Sequence, residues 1–214
     1  MQRTLAQKLG LLGLISLASY TLAVLLAPLA YPGYQWMAQA VSDLSADTAP
    51  SRILWNQLSS LYMPCGLVCC TLCYMKTGPK TEKHVRRGIG LFALMNWISA
   101  VGYAAFPLPA SSRPQGFQGT MHLVITAAVV LLSIASLVLI FYGGCRKKAC
   151  PFLGRWAMIA LVCMMLGALG TNILPAAYFG IPERFSVFAA TGFNAVLGLG
   201  LYRGLEVFSG HGLV

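Results

Sequence analysis

Charge is scarce in this chain, and acid scarcer still. Only 9% of its 214 residues are Asp, Glu, Lys or Arg, and only five of those are acidic, where a soluble domain is roughly 25% charged. With 57% hydrophobic residues and a mean hydropathy of +0.71, that excludes a water-soluble domain built around one core. The usual catalytic signatures are also missing: there is no glycine-rich phosphate loop, no His-Glu-x-x-His helix and no Gly-x-Ser-x-Gly elbow, which sets aside the enzyme classes those motifs mark. Histidine occurs three times. His122 is the one expected on the acid-bearing side, too few for a three-histidine metal centre, so neither a metal nor another cofactor is expected.

What is present is uncharged apolar chain. Six runs near the ~20-residue length needed to cross a bilayer fall at 9–30, 53–75, 88–106, 119–143, 156–176 and 185–202. The expected fold is therefore an all-α integral membrane protein, a six-helix transmembrane bundle forming one domain over 1–214. The first run follows Arg3 and Lys8 as a secretory signal would. Its apolar stretch exceeds the roughly 7 to 15 residues of a signal peptide, and Pro28 with the bulky Tyr31 makes a poor cleavage region, so it is expected to be retained.

A net charge of +10 raises nucleic acid as a partner, and the placement of the cations argues against it. Twelve of the fifteen fall on alternate loops: Arg3 and Lys8; Lys76, Lys80, Lys83, Arg86 and Arg87; Arg146, Lys147, Lys148 and Arg155; and Arg203. The positive-inside rule makes that face cytoplasmic, with both termini on it. Arg52, Arg113 and Arg184 are left outside.

None of the seven cysteines falls in an expected outer loop, so a disulfide framework is not indicated. Cys65, Cys69 and Cys73 share a helix face, a spacing able to hold a soft metal but more simply read as packing. Cys145 and Cys150 flank a basic cluster and are palmitoylation candidates only in a eukaryotic host. Runs one, three and five each place a basic residue twenty positions before a proline: Lys8 to Pro28, Arg87 to Pro107, Arg155 to Pro175. Three hairpins in parallel repeat account for this, and so does bilayer thickness alone.

The longest outer loop, 31–51, opens with Tyr31, Tyr34 and Trp36, side chains suited to the headgroup boundary. Met37, Val41 and Leu44 recur at helical spacing, predicting a short amphipathic helix over 34–45, flat on the leaflet or folded over the bundle mouth. Asp47, Thr48 and Pro50 look like start signals for the second span.

Because topology accounts for most of the cations, function is sought among the other ionisable groups. Glu82, Glu206, His84 and His211 are expected at the cytoplasmic face. The opposite face gathers Asp43, Asp47, Arg52, Arg113, His122, Glu183 and Arg184, with Ser42, Ser45, Asn56 and Asn172 at similar depth. Each has a plain explanation: Glu183 follows Pro182 as at any helix start, and the arginines can contact lipid phosphates. His122 is the most informative, lying about a turn inside an apolar span where an ionisable group needs a partner. An acid can orient it as a general base, or it can bond a carbonyl. Ser42 and Asp43 with His122 supply the residue types of a serine hydrolase, a weak signal at this scatter. Deeper, Asn96 and Asn194 are expected to cross-link helices.

Tyr31-Pro32, Val41-Ser42-Asp43-Leu44-Ser45, Ala49-Pro50, Trp55-Asn56 and Leu61-Tyr62 resemble domain-of-unknown-function family 998, multi-span membrane proteins mostly of microbial origin. The likeness continues through Phe106-Pro107, Gly119, His122, Gly180, Glu183 and Arg184. It implies a bacterial cytoplasmic (inner) membrane and supplies no activity. A distant similarity to the FRAG/DRAM/Sfk group implies lipid or anchor remodelling. Met63-Pro64-Cys65 departs from the family pattern and predicts a kinked second span.

These readings converge on an outer-facing polar pocket that binds a lipid or lipid-linked headgroup, with Arg52, Arg113 and Arg184 on phosphate, Ser42, Asp47 and Asn172 beside them, and acids fixing the arginines. The alternatives are a lipid hydrolase or transferase using His122 with Asp43 or Glu183, and a structural or regulatory subunit working as a homo-oligomer or with a partner membrane protein. A proton-coupled transporter ranks last, because only amides reach the bilayer middle.

Overall fold

The computed structural model describes residues 2–108 and 116–208. Arg113 and His211 lie outside the described residues. Every regular element among those described is helical: α1 (Leu5–Leu9), α2 (Leu12–Leu26), α3 (Arg52–Leu58), α4 (Tyr62–Lys76), α5 (Lys83–Ala105), α6 (Gly116–Phe141), α7 (Pro151–Ile173) and α8 (Gly180–Arg203). Six stretches are long and apolar enough to cross a bilayer, namely Leu5–Ala30, Arg52–Lys76, Lys83–Ala105, Gly116–Arg146, Pro151–Ile173 and Gly180–Arg203. Each expected run has its helix, and the protein is an all-helical integral membrane protein.

The boundaries differ from the apolar runs where backbone chemistry overrides hydropathy. α7 begins at Pro151, five residues before the expected start, because a proline at the first helical position loses no hydrogen bond. α8 begins at Gly180 and so takes Glu183 and Arg184 into the helix. Arg155 to Pro175 therefore spans most of α7, and Pro28, Pro107 and Pro175 all sit at helix exits. The second span is broken rather than bent. Pro64 lacks an N–H and its ring crowds the carbonyl four residues back, at Ser60. α3 accordingly ends at Leu58, and the Tyr62 N–H turns to Ser59 O. Ser19 of α2 donates to the freed Leu58 carbonyl at 2.5 Å, and Ser16 donates to Tyr62 O at 2.7 Å. Asp47 and Thr48 do not cap this span. Ser51 precedes it and spends its hydroxyl on Leu44 O.

The helices close into a ring in chain order: α2 packs on α4, then α4 on α5, α5 on α6, α6 on α7, α7 on α8 and α8 on α2, while α4 also reaches α8. Leu14, Leu131, Ile159, Leu166 and Leu169 stay exposed around the outside, as lipid-facing side chains do. Inside, Phe92, Phe193, Ile89, Leu137, Leu153 and Leu197 are sealed together with Cys69 and Cys73. The Cys69 thiol faces the carbonyls of Gly10 and Asn194, a packing role. Asn194 does cross-link helices, donating to Gly66 O of α4 at 3.1 Å; Asn96 does not, since it bonds Phe92 O of its own helix.

The loop 31–51 forms no amphipathic helix over 34–45. It runs through turns and a 3-10 turn at Ser42–Ser45, and Val41 and Leu44, 2% and 0% exposed, plug the bundle end among Tyr20, Val24 and Trp55. Asp43 explains the failure, because its carboxylate accepts the Ala40 N–H at 3.0 Å, a local bond that competes with helix.

At Gly198 of α8 a Cβ would come within 2.2 Å of the Gly10 carbonyl, whereas at Gly192 nothing lies within 4 Å. Gly198→Val is expected to lower the thermal midpoint in detergent by on the order of 5 °C, the scale of core overpacking. Gly192→Val should leave it nearly unchanged; equal shifts would show that α1 and α8 do not approach as described.

Candidate functional site

The site grows from one backbone contact. The Gly180 N–H at the start of α8 donates to Met37 O of the loop at 2.8 Å. A Cβ there would lie 2.4 Å from Gln39 O and 2.6 Å from Trp36 O, so only glycine permits this approach. One turn on, Arg184 is 5% exposed. Its Nη1 donates to Gly180 O at 2.6 Å and Gln39 O at 3.2 Å, and its Nη2 donates to the Tyr34 hydroxyl at 2.8 Å. The guanidinium lies 4.2 Å from the centre of the Trp36 ring, a stacking geometry available to arginine. The Tyr34 hydroxyl in turn donates to Ala40 O at 2.8 Å. Burial pushes the Tyr34 phenol up, against the pull of Arg184, and so keeps that donor neutral.

The neighbouring acids do not pair with Arg184. Glu183 Oε2 accepts the Val41 N–H at 3.2 Å, and Asp43 holds Ala40 as described above. Loop and helix are thus joined by Arg184 donating to loop oxygens and Glu183 accepting from a loop N–H. One group in this cluster is left over: the buried Arg184 Nε has no hydrogen-bond partner.

Arg184 and Trp36 also form one end of a groove of about 770 Å³ along α8, walled by Leu14 and Leu17 of α2 and by Trp156, Ile159 and Cys163 of α7. Gly192 lies on its floor, and Arg203 with Phe152 marks the far end. The lining between is apolar. Nineteen residues of helix separate the two arginines, roughly 28 Å of rise, close to the ~30 Å of a hydrocarbon core.

The remaining expected site residues lie elsewhere or act alone. Asp47 and Arg52 pair with each other at 3.2 Å, both well exposed, so the expected fixing of an arginine by an acid occurs there and not in the buried cluster. Asn172 is exposed and donates to Ala168 O of its own helix. Ser42 sits in the 3-10 turn beside Asp43, its carbonyl accepting from Ser45. His122 faces α5: its Nδ1 is 2.9 Å from Phe106 O, which puts the proton on that nitrogen, and its ring lies 5.0 Å from Tyr103. Among the described residues no hydrogen bond joins His122 to Asp43 or Glu183.

Tyr34, Trp36 and Gly180 complete the cluster and were not expected in it. Aromatic residues at a membrane boundary look alike in sequence, and a glycine opening a helix signals nothing by itself. The seven free cysteines form no metal cluster, and among the described residues no three His, Cys, Asp or Glu side chains are gathered for one.

A family model described as "Protein of unknown function (DUF998)" matches residues 14–200, and the chain belongs to that family. No curated protein and no solved structure matches it.

Burial pushes the Asp43 carboxyl above its ordinary range, against the lowering effects of the Ala40 N–H and of Arg184. The folded protein therefore keeps this proton at a pH where the unfolded chain has released it. The corresponding stability is complete below the ordinary carboxylate pKa and is lost as pH rises through the raised folded value. Asp43→Asn is expected to flatten that decline in thermal midpoint measured from pH 4 to 7. A slope identical to wild type would assign it to another group.

Proposed function

We propose that this member of the DUF998 family is a lipid-binding membrane protein that holds an amphipathic lipid along α8, with an acceptor oxygen of its headgroup on Arg184 and its chain in the apolar groove. The observation that carries this is the unpartnered Nε of a nine-tenths-buried arginine that lines the mouth of a groove of about 770 Å³. A buried N–H without an acceptor is costly, and a phosphate or ester oxygen supplies one. Arg184 spends its other nitrogens on Gly180 O, Gln39 O and the Tyr34 hydroxyl, which leaves Nε for the lipid oxygen. The basic loops face the cytoplasm in this reading, both termini included, and the plug faces outward. A bacterial cytoplasmic membrane suits that charge pattern. Asp43 and Glu183 hold the loop in place, while His122, Arg52, Asp47 and Asn172 take no part.

A second reading rests on Gly192, which lines the groove on α8 with nothing within 4 Å of where a Cβ would stand, the kind of small residue that admits a second helix. In it the groove takes a transmembrane helix of a partner or of another copy, and the protein acts as a regulatory subunit.

Mass spectrometry of lipids retained after purification in mild detergent separates the two readings. Wild type is expected to retain a defined lipid. Arg184→Met should reduce retention about ten-fold, the scale of a charge-assisted hydrogen bond. Gly192→Trp fills the groove while leaving Arg184 and the loop intact, and should do the same. Full retention by Gly192→Trp overturns the lipid reading. A monodisperse oligomer dispersed by that substitution, without retained lipid, establishes the second.

A further inference from the structure

A second groove opens at the basic end of the bundle, on the far side from the plug. Lys83, Arg86 and Arg87 occupy the first turns of α5 and line a cavity of about 690 Å³ that continues over Gly90 and Leu94 and is walled by Tyr74 of α4 and Leu139 of α6. Gly90 shapes it: a Cβ there would lie 2.9 Å from the Tyr74 ring, so the aromatic wall closes directly on the α5 backbone. The connecting loop is fixed, because Thr81 donates to Val207 O at 2.9 Å and accepts the Gly78 N–H at 3.1 Å.

Among the described residues no ion pair neutralises these cations. The nearest acid, Glu82, is committed: Oε2 accepts the N–H groups of His84 and Val85 at 2.8 and 3.0 Å, and Oε1 lies 2.6 Å from His84 Nδ1. Among the described residues Lys83, Arg86 and Arg87 form no ion pair, the recorded pairs being Arg52 with Asp47 and His84 with Glu82. Topology alone asks for cations at this end; it does not ask for three of them above an apolar trough. From Lys83 to Leu94 the helix rises roughly 16 Å, about half of a ~30 Å hydrocarbon core, which is the depth of one leaflet.

We propose that this groove is a binding site for one anionic phospholipid of the leaflet at the basic end, with its phosphate on Arg86, Arg87 and Lys83 and an acyl chain over Gly90, Leu94 and Leu139. The site is independent of the Arg184 groove. A free phosphate shares the headgroup chemistry but has no use for the trough, so the two are separable.

Native mass spectrometry of the full chain, titrated with phosphatidylglycerol, phosphatidylcholine or inorganic phosphate, provides the test. Wild type is expected to favour phosphatidylglycerol over phosphatidylcholine. Arg86→Gln with Arg87→Gln should weaken phosphatidylglycerol roughly five-fold for each arginine, whereas Arg146→Gln with Lys147→Gln, on another loop of the same face, should change it less than about two-fold. Leu94 is half exposed, so Leu94→Trp obstructs the trough without disturbing the core and keeps the proposal testable should the arginine pair fail to fold. It should weaken phosphatidylglycerol and leave inorganic phosphate unaffected. Equal binding of the two lipids, equal loss in the control pair, or undiminished phosphatidylglycerol binding by Leu94→Trp overturns the proposal; undiminished binding together with competition by inorganic phosphate marks a free-anion site instead.

Discussion

A guanidinium buried at the end of a membrane helix must find acceptors, because removing a partner from a buried charge costs several kcal/mol. Arg184 finds them in Gly180 O, Gln39 O and the Tyr34 hydroxyl, two of which belong to the loop. The loop therefore cannot lie on the lipid surface; it is drawn over α8. Glycine at 180 then becomes obligatory, since any side chain there would collide with the loop backbone. The seating of Val41 and Leu44 among Tyr20, Val24 and Trp55 follows from the same anchoring.

This plug and the broken second span are linked. Pro64 forces the break between α3 and α4, and Ser16 and Ser19 of α2 take up carbonyls on either side of it. α3 is thereby free to lean against the loop with Trp55, which shares an apolar cluster with the plug and with Tyr20 of α2. In a medium without water every freed backbone group needs an internal partner. Ser19 is that accommodation for Leu58 O, and a proline alone in the sequence says nothing about which neighbour will provide it.

The two ends of the bundle treat charge in opposite ways. At the plug end Asp43 and Glu183 accept backbone N–H groups and Arg184 is buried with its Nε left over, while Asp47 and Arg52 pair with each other in the open. At the basic end cations are many and sit in or near solvent, and Glu82 beside them caps α5. Each groove runs along one helix and has a glycine in its lining, Gly192 standing in open space in one and Gly90 against the Tyr74 ring in the other. The proposed lipids of the two leaflets thus meet one construction, an arginine at the headgroup level and a shallow apolar channel beneath it.

By itself the sequence determined that the chain holds six helices long and apolar enough to cross a membrane and that most of its cations fall on alternate connections, because hydropathy run length and loop charge are properties of the chain read in order. It also marked Asp43, Glu183 and Arg184 as worth finding, since ionisable residues near a bilayer demand partners. Only the tertiary structure decided who those partners are. Arg184 bonds the carbonyl of Gln39 and the phenol of Tyr34, 145 and 150 positions away in the chain, the acids hold loop N–H groups instead of the arginine, and His122, alike in the sequence, settles on the carbonyl of Phe106. Backbone acceptors carry no residue identity, so no pattern of side chains could announce them. Nor could a groove be read in advance, because it is the space that three packed helices fail to fill.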